Sequence, residues 1–170
     1  MRWVLIVLFV ANVALSIAGF LLLPEEIAIQ FGAEGEVNSW GSKRFSFAVS
    51  LGLEVFFLGL FLYTDRMVFW LPPKWVNMPN RAYWLRPERK EETGKKLNHL
   101  MWQFGIAFYL FFFVVGGLTL QANLSEPVRL EEGFFLCALG LFLGYTAFWC
   151  VRFYLAFRMP KCSSKEGDFS

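Results

Sequence analysis

Residues 3–23 read WVLIVLFVANVALSIAGFLLL, an apolar run that contains no charged residue. An α-helix of this length rises about 30 Å, which is the thickness of the hydrocarbon core of a bilayer. The small-x-small triplet at residues 16–18, with Arg2 upstream, is also typical of a cleaved signal peptide. Because the apolar run continues past this triplet to Leu23, we interpret it as an uncleaved signal anchor and as the first membrane span.

Three more apolar runs follow, and together the four runs predict the fold class. The chain is 56% hydrophobic and only 18% charged, whereas soluble domains are about 25% charged. Backbone groups in lipid must be hydrogen-bonded within their own segment, so single spans are helical. The sequence therefore predicts an all-α integral membrane protein with one domain, residues 1–170. Its four transmembrane helices are expected at about residues 3–23, 45–63, 100–120 and 134–157.

The basic residues predict the orientation of the spans. Twelve Lys and Arg residues precede span one, lie between spans two and three, or follow span four, whereas the other two connections hold three. The positive-inside rule then predicts that both termini, a loop over residues 64–99 and a tail over residues 158–170 are cytoplasmic. The loop 24–44 and the connection 121–133 would face outward.

The outward loop 24–44 has the most regular sequence of the connections. Apolar residues at 27, 29 and 31 alternate with Ala28 and Gln30, the period-two pattern of a half-buried strand, and Gly32 and Gly35 offer a turn. In the cytoplasmic loop, a proline-broken aromatic stretch precedes a helix that is predicted to start near Pro87 and to run into span three. The residues predicted to contact a ligand or partner are Ile29, Gln30, Phe31, Trp40, Lys43, Tyr83 and Trp84.

Glu54 lies near the middle of span two, where an ionisable residue is costly unless it is paired, hydrated or protonated. Ser46 and Ser50 precede it at one-turn spacing and share its helix face. Polar residues lie at similar depth in spans one and four. The predicted mid-membrane polar cluster consists of Asn12, Ser50, Glu54 and Tyr145. It is either a proton-linked or small-ligand site, or a set of interhelical hydrogen bonds around a neutral Glu.

Two other features of the spans have alternative interpretations. Arg152 either extends toward the headgroups or forms an ion pair with Glu54. Gly140 and Gly144 form a G-x-x-x-G motif that predicts helix packing, within the chain or with a second copy. Gly52 and Gly59, a heptad apart, suggest the same use in span two.

The sequence holds no catalytic constellation. The three cysteines, Cys137, Cys150 and Cys162, show no C-x-x-C spacing, and His99 is the one histidine. Phosphate-loop, nucleophile-elbow and zinc-protease motifs do not occur. The net charge of +2 is too small to indicate nucleic-acid binding. We therefore expect no catalytic residue, metal, cofactor or nucleic-acid partner, and a protein that is not an enzyme.

Two stretches resemble motifs of a known family. They are LPEEIAIQF at residues 23–31, followed by Gly35 and by WGSK at residues 40–43, and VNMPNRAYWLRPER at residues 76–89. Both are similar to segments of a family of small bacterial membrane proteins of unknown function. The best-known relatives of that family are the immunity proteins against the sporulation-delaying peptide toxin. Gln30 stands where the family more often has a histidine, so no protonation or metal-binding role is implied there.

The resemblance implies a multi-pass protein of the bacterial inner membrane. The leading hypothesis is a non-enzymatic sensor or toxin-immunity-type binder. Its outer loop would engage a peptide or protein, and its cytoplasmic loop would engage a protein partner or a second copy. One alternative is a small proton-coupled transporter that uses Glu54. Another is an accessory subunit of a membrane complex that packs through Gly140 and Gly144. Residues 162–170 are expected to form a disordered tail.

Overall fold

The computed structural model describes residues 1–159 and is mostly helical. In this part of the chain, four helices are long and apolar enough to cross a membrane. They are α1 (Arg2–Leu22), α2 (Lys43–Trp70), α4 (Lys90–Leu124) and α5 (Glu132–Ala156), and the short α3 (Arg81–Trp84) lies between α2 and α4. The predicted multi-pass architecture in a lipid bilayer is confirmed. The predicted tail 162–170 lies outside the described residues.

Two of the helices extend well beyond the predicted spans. α2 continues to Trp70, with a kink at Tyr63 (φ −119°, ψ 17°) where its apolar run ends. α4 begins after a 3₁₀ turn at Pro87–Arg89 and continues through span three to Leu124, as predicted. Its exposed first turns carry two i,i+4 ion pairs, Glu91–Lys95 and Glu92–Lys96. The hydrogen bond from Lys95 lowers the pKa of the Glu91 carboxyl.

α4 is the central helix, because α1, α2 and α5 all pack against it. Lipid tails are as apolar as the helices, so association depends on close packing rather than on the hydrophobic effect. Phenylalanine rings supply that packing. The Phe57 and Phe108 centroids lie 4.5 Å apart between α2 and α4, and those of Phe111 and Phe142 lie 4.5 Å apart between α4 and α5. Each such aromatic contact contributes about 0.5–1.5 kcal/mol beyond its area.

Gly105 is the glycine at which the helices approach most closely. A Cβ atom there would lie 2.8 Å from Leu5 Cδ1 of α1 and 2.8 Å from Phe61 Cδ2 of α2. The packing glycines predicted from the sequence lie elsewhere. A Cβ atom on Gly140 or Gly144 would meet nothing within 4 Å among the described residues, and the same holds for both candidate glycines of span two. Of the two alternatives, packing against another helix of the same chain is therefore not found among the described residues, and packing with a second copy stays a prediction.

The loop after α1 forms a hairpin, in which β1 (Glu26–Phe31) pairs antiparallel with β2 (Val37–Ser42). Gly35, with a φ of 79°, allows the turn. The predicted strand is confirmed, but the predicted alternation of buried residues is not. Ala28 is fully buried, whereas Ile29 is 51% exposed. The reason is that Ala28 faces the end of α4, and the strand register shifts between Ala28 and Gln30.

Side-chain amides and guanidinium groups hold the hairpin onto the helix ends. The backbone N–H of Ala28 donates to Asn123 Oδ1 at 2.7 Å, and Asn123 Nδ2 donates to the Ala28 carbonyl at 3.1 Å. Asn123 thus occupies the place of a third strand on the free edge of β1. In the α4–α5 connection, Arg129 donates to the Glu34 carbonyl at 2.8 Å, and the Leu130 N–H donates to the Gly35 carbonyl at 2.9 Å.

Candidate functional site

A cavity of about 240 Å³ lies between α1, α2 and α4 and reaches from the hairpin down to Glu54. We call it the Glu54 cavity. Its upper part is bounded by Ile27 and Lys43, and its middle by Phe20, Phe47 and other apolar side chains. Its polar lining residues are Asn12, Ser16, Lys43, Ser46, Ser50, Glu54 and Thr119.

Glu54 is only 3% exposed, and among the described residues it is the one ionisable side chain in the deep part of this cavity. Ser16 Oγ donates to Glu54 Oε1 at 3.3 Å. The second carboxyl oxygen, Oε2, is buried and has no hydrogen-bond partner among the described residues. Both N–H donors of the Asn12 amide are used elsewhere, because Nδ2 donates to the carbonyls of Leu8 and Tyr109 at 2.9 and 3.0 Å. The carboxyl group is therefore incompletely satisfied within the protein.

The structure brings together three of the four members predicted for the mid-membrane cluster. Asn12, Ser50 and Glu54 line the same cavity. Tyr145 does not line it; it lies on α5, and its ring faces Phe148 at 6.4 Å. Tyr109, which no sequence pattern marks, contacts Glu54 instead. Its hydroxyl donates to the backbone carbonyl of Glu54 at 2.5 Å and ties α4 to α2 at this depth.

The alternative ion pair between Arg152 and Glu54 does not form. Arg152 Nη1 instead donates to Gln103 Oε1 at 3.1 Å, and its guanidinium lies over the Phe148 ring. His99 is exposed one turn earlier on α4, where its Nε2 lies 3.1 Å from Gln103 Nε2. Within residues 1–159, no group of three His, Cys, Asp or Glu side chains lies close enough to hold a metal ion.

A second concave site lies between the hairpin and the helix ends. Ile29, Gln30 and Phe31 line a groove of about 350 Å³, whose other walls come from α4 and α5. We call it the hairpin groove. Its helical walls are formed by Val115, Thr119, Phe135 and Leu136, among others. The groove is mainly apolar and carries a few polar groups, the composition of small-ligand and peptide-side-chain sites.

The two other outer residues predicted to bind a ligand do not line the groove. Trp40 is 54% exposed and pairs with Ala28, so its side chain projects from the other face of the hairpin. Lys43 lies at the top of the Glu54 cavity, where its Nζ donates to the Leu23 carbonyl at 2.7 Å and lies 3.6 Å from Glu25 Oε1. Its charge is therefore already compensated.

Trp84, in the connection between α2 and α4, is a core residue. It is 2% exposed, and its Nε1 donates to the Phe157 carbonyl at 2.8 Å. Asn80 Nδ2 donates to the same carbonyl at 2.9 Å, so both residues cap the C-terminal end of α5. Tyr83 is half-buried beneath the Arg89 guanidinium, 4.0 Å from the ring centroid. Trp84 therefore supports the fold and does not offer the partner contact predicted from the sequence.

A wide concavity lies at the opposite end of the bundle from the hairpin. It is an open groove of about 960 Å³ between the end of α2 and the start of α4. Charged side chains of both signs line it, including Asp65, Arg66, Lys90 and Lys95. Because these charges are mixed and solvent-accessible, the groove does not indicate a ligand of either sign.

Comparison with known proteins locates the similarity in the part of the chain that carries the hairpin. No curated protein and no solved structure shows a significant match to the sequence. Residues 7–53 comprise most of α1, the hairpin and the first turns of α2 up to Glu54. Over that stretch the chain matches the model of a family described as a domain of unknown function, DUF1648.

Proposed function

We propose that the protein is a non-enzymatic binder of the bacterial inner membrane, whose hairpin groove takes up an extracytoplasmic peptide or protein segment. The observation that carries this proposal is the groove itself. Three adjacent residues of β1, which the sequence pattern already indicated, form one wall of it, and two different helices form the other. The groove is thus part of the folded bundle rather than of a loose loop.

The charge distribution supports an outward-facing hairpin. Along the sequence, twelve basic residues precede span one, lie between spans two and three, or follow span four. The hairpin end has three basic and seven acidic residues in its two connections. By the positive-inside rule, both termini would be cytoplasmic and the groove would face the outside.

The fixation of the hairpin supports a binding role. Asn123 and Arg129 hold both the strand edge and the turn, so the groove exists before a ligand arrives. A preformed site binds more tightly than a flexible one, because less conformational entropy is lost on binding. Apolar walls would accommodate ligand side chains, while Gln30 and Thr119 would fix their orientation.

The resemblance to the immunity-protein relatives supports a sensor or toxin-immunity role for such a binder. A sensor would pass the signal to a cytoplasmic protein partner, for which Tyr83 is the remaining candidate contact. The unpacked face of α5 with Gly140 and Gly144 would serve a second copy or a partner subunit, as in the accessory-subunit alternative.

A second candidate function is a small proton-coupled carrier. The Glu54 cavity favours it, because a carboxyl group with an unpartnered oxygen lies within a cavity at mid-membrane depth. Intramembrane carboxyl groups of this kind commonly serve proton-coupled transport.

The binder and the carrier can be distinguished by complementation of cells that lack the gene. Cells would be complemented with the wild type, with an Ile29→Ala/Phe31→Ala double variant, or with Glu54→Gln, at matched membrane levels. We expect the double variant to lose protection against membrane-active peptides and Glu54→Gln to retain it. Loss with Glu54→Gln alone would favour the carrier. Full protection by the double variant would refute binding in the hairpin groove.

A further inference from the structure

We propose that the Glu54 cavity is a binding site for a primary organic ammonium ion. Its charged group would lie against the carboxyl group of Glu54, which lines the cavity, and its apolar part would extend toward the hairpin. This inference does not depend on ligand binding in the hairpin groove. It also assigns a ligand class whether or not that ligand is carried across the membrane.

The first argument is the unfilled hydrogen-bonding capacity of Glu54. An ionised carboxylate can accept about four hydrogen bonds, yet the described residues supply one, from Ser16. An unpaired charge at this depth is costly, and a bound cation removes that cost. An ammonium group has three donors, and the hydroxyl oxygens of Ser16 and Ser50 line the same space as further acceptors.

The second argument concerns the kind of cation. Mg²⁺ and Ca²⁺ require about six or more oxygen ligands, but Glu54 is the one carboxylate that lines the cavity in the described chain. The remaining walls are largely apolar and aromatic, with Phe20, Phe47 and Phe112 among them. Such walls bind hydrocarbon, and aromatic faces attract ammonium groups. One carboxylate beside apolar walls therefore fits an organic ammonium better than a metal ion.

The third argument is the size and direction of the cavity. A cavity of 150 Å³ holds benzene, so 240 Å³ holds a ligand of about ten non-hydrogen atoms. Lys43 lies eleven residues before Glu54 on α2, which corresponds to about 16 Å along the helix. The Lys43 ammonium already occupies the Leu23 carbonyl and Glu25 at that end, so the ligand's ammonium belongs at Glu54 and its apolar chain points toward Ile27.

Hexylammonium is a suitable probe, since it combines one ammonium group with a short apolar chain. Binding would be measured by isothermal titration calorimetry on the purified full-length protein in lipid nanodiscs at pH 7, after subtraction of protein-free nanodiscs. Hexanol and hexanoate, which share the chain but lack the positive charge, are the comparison ligands. We expect saturable binding of hexylammonium with one site, and at least tenfold weaker binding of both comparison ligands.

The variants test separately how the Glu54 carboxylate and the space of the cavity contribute to binding. Glu54→Gln should weaken hexylammonium binding at least tenfold. Asp65→Asn is the control, since it removes a carboxylate of the same helix that lies outside the cavity, and it should leave hexylammonium binding unchanged. Ser50→Leu keeps Glu54 but fills the cavity, and it should also abolish binding. This variant decides the matter if Glu54→Gln does not fold.

Several results would contradict the proposed ammonium site. No saturable binding to the wild type, equal binding of hexanol, or undiminished binding to Glu54→Gln or Ser50→Leu would each overturn the proposal. Ile29→Ala/Phe31→Ala should bind hexylammonium like the wild type, because neither residue lines the Glu54 cavity. A failure in the hairpin groove is therefore distinguishable from a failure in the Glu54 cavity.

Discussion

At the scale of single residues, the bundle depends on a glycine that no sequence motif marks. Gly105 has no glycine four residues away, yet it is where α1 and α2 both touch α4. The G-x-x-x-G motif of α5 instead faces away from the other described helices. A glycine motif indicates that close approach is possible, but the partner helix decides which glycine is used.

The contrast between these glycines gives a matched prediction. Gly105→Val should destabilise the folded bundle by about 1–3 kcal/mol, because its side chain would overlap Leu5 and Phe61. Gly140→Val, at the same kind of site in a membrane helix, should change stability by less than about 0.5 kcal/mol. Thermal aggregation of both variants in mild detergent, compared with the wild type, measures the difference. Equal loss in both would show that the close contact at Gly105 is unimportant.

At the scale of elements, the hairpin is stable because the helix ends complete it. A two-stranded hairpin is marginal by itself in water. Here the Asn123 amide accepts a hydrogen bond from the free edge of β1, and the Arg129 guanidinium donates to a carbonyl of the turn. A similar arrangement occurs at the other end of the bundle, where Asn80 and Trp84 both donate to the carbonyl of Phe157, the residue that follows α5. Connecting segments thus cap the helices, and the helices order the connections.

Removal of the Asn123 amide should release the hairpin. Asn123→Ala leaves the buried N–H and carbonyl of Ala28 without partners, which costs about 1–3 kcal/mol for each unsatisfied group. Hydrogen–deuterium exchange should therefore accelerate by at least tenfold across residues 26–42, with little change in the helices. Gln121→Ala, an exposed amide two residues earlier on α4, is the control. Unchanged exchange in Asn123→Ala would mean that other contacts are sufficient to hold β1.

At the scale of the whole molecule, the apolar runs predicted the four helices and their order correctly. Length and hydropathy are sufficient for this, because a bilayer imposes both. The strand after α1 and the start of α4 near Pro87 were also predictable from local pattern. What could not be predicted depends on tertiary contacts. The register shift at Ala28, the burial of Trp84 and the absence of Tyr145 from the Glu54 cavity all follow from which helix lies beside which.

The orientation in the membrane is testable by cysteine labelling. In a chain whose three native cysteines are replaced by serine, Asn38→Cys should react with a membrane-impermeant maleimide added to intact spheroplasts. Lys95→Cys should react after permeabilisation, because the positive-inside rule places it in the cytoplasm. Both side chains are exposed in the structure, so accessibility in the folded protein does not limit labelling. The reverse pattern would place the hairpin inside the cell and would exclude an extracytoplasmic ligand.

α4 joins the two ends of the molecule as a single continuous helix. At one end of α4, Asn123 is hydrogen-bonded to Ala28 of the hairpin, and at the other end Thr93 donates to the Trp84 carbonyl. Thirty residues separate them, which is about 45 Å of helix. Pivoting α4 by about 5° at its Thr93 end would swing Asn123 by about 4 Å over that length. A movement of the hairpin would therefore be transmitted along α4 to its Thr93 end without any rearrangement within the helix.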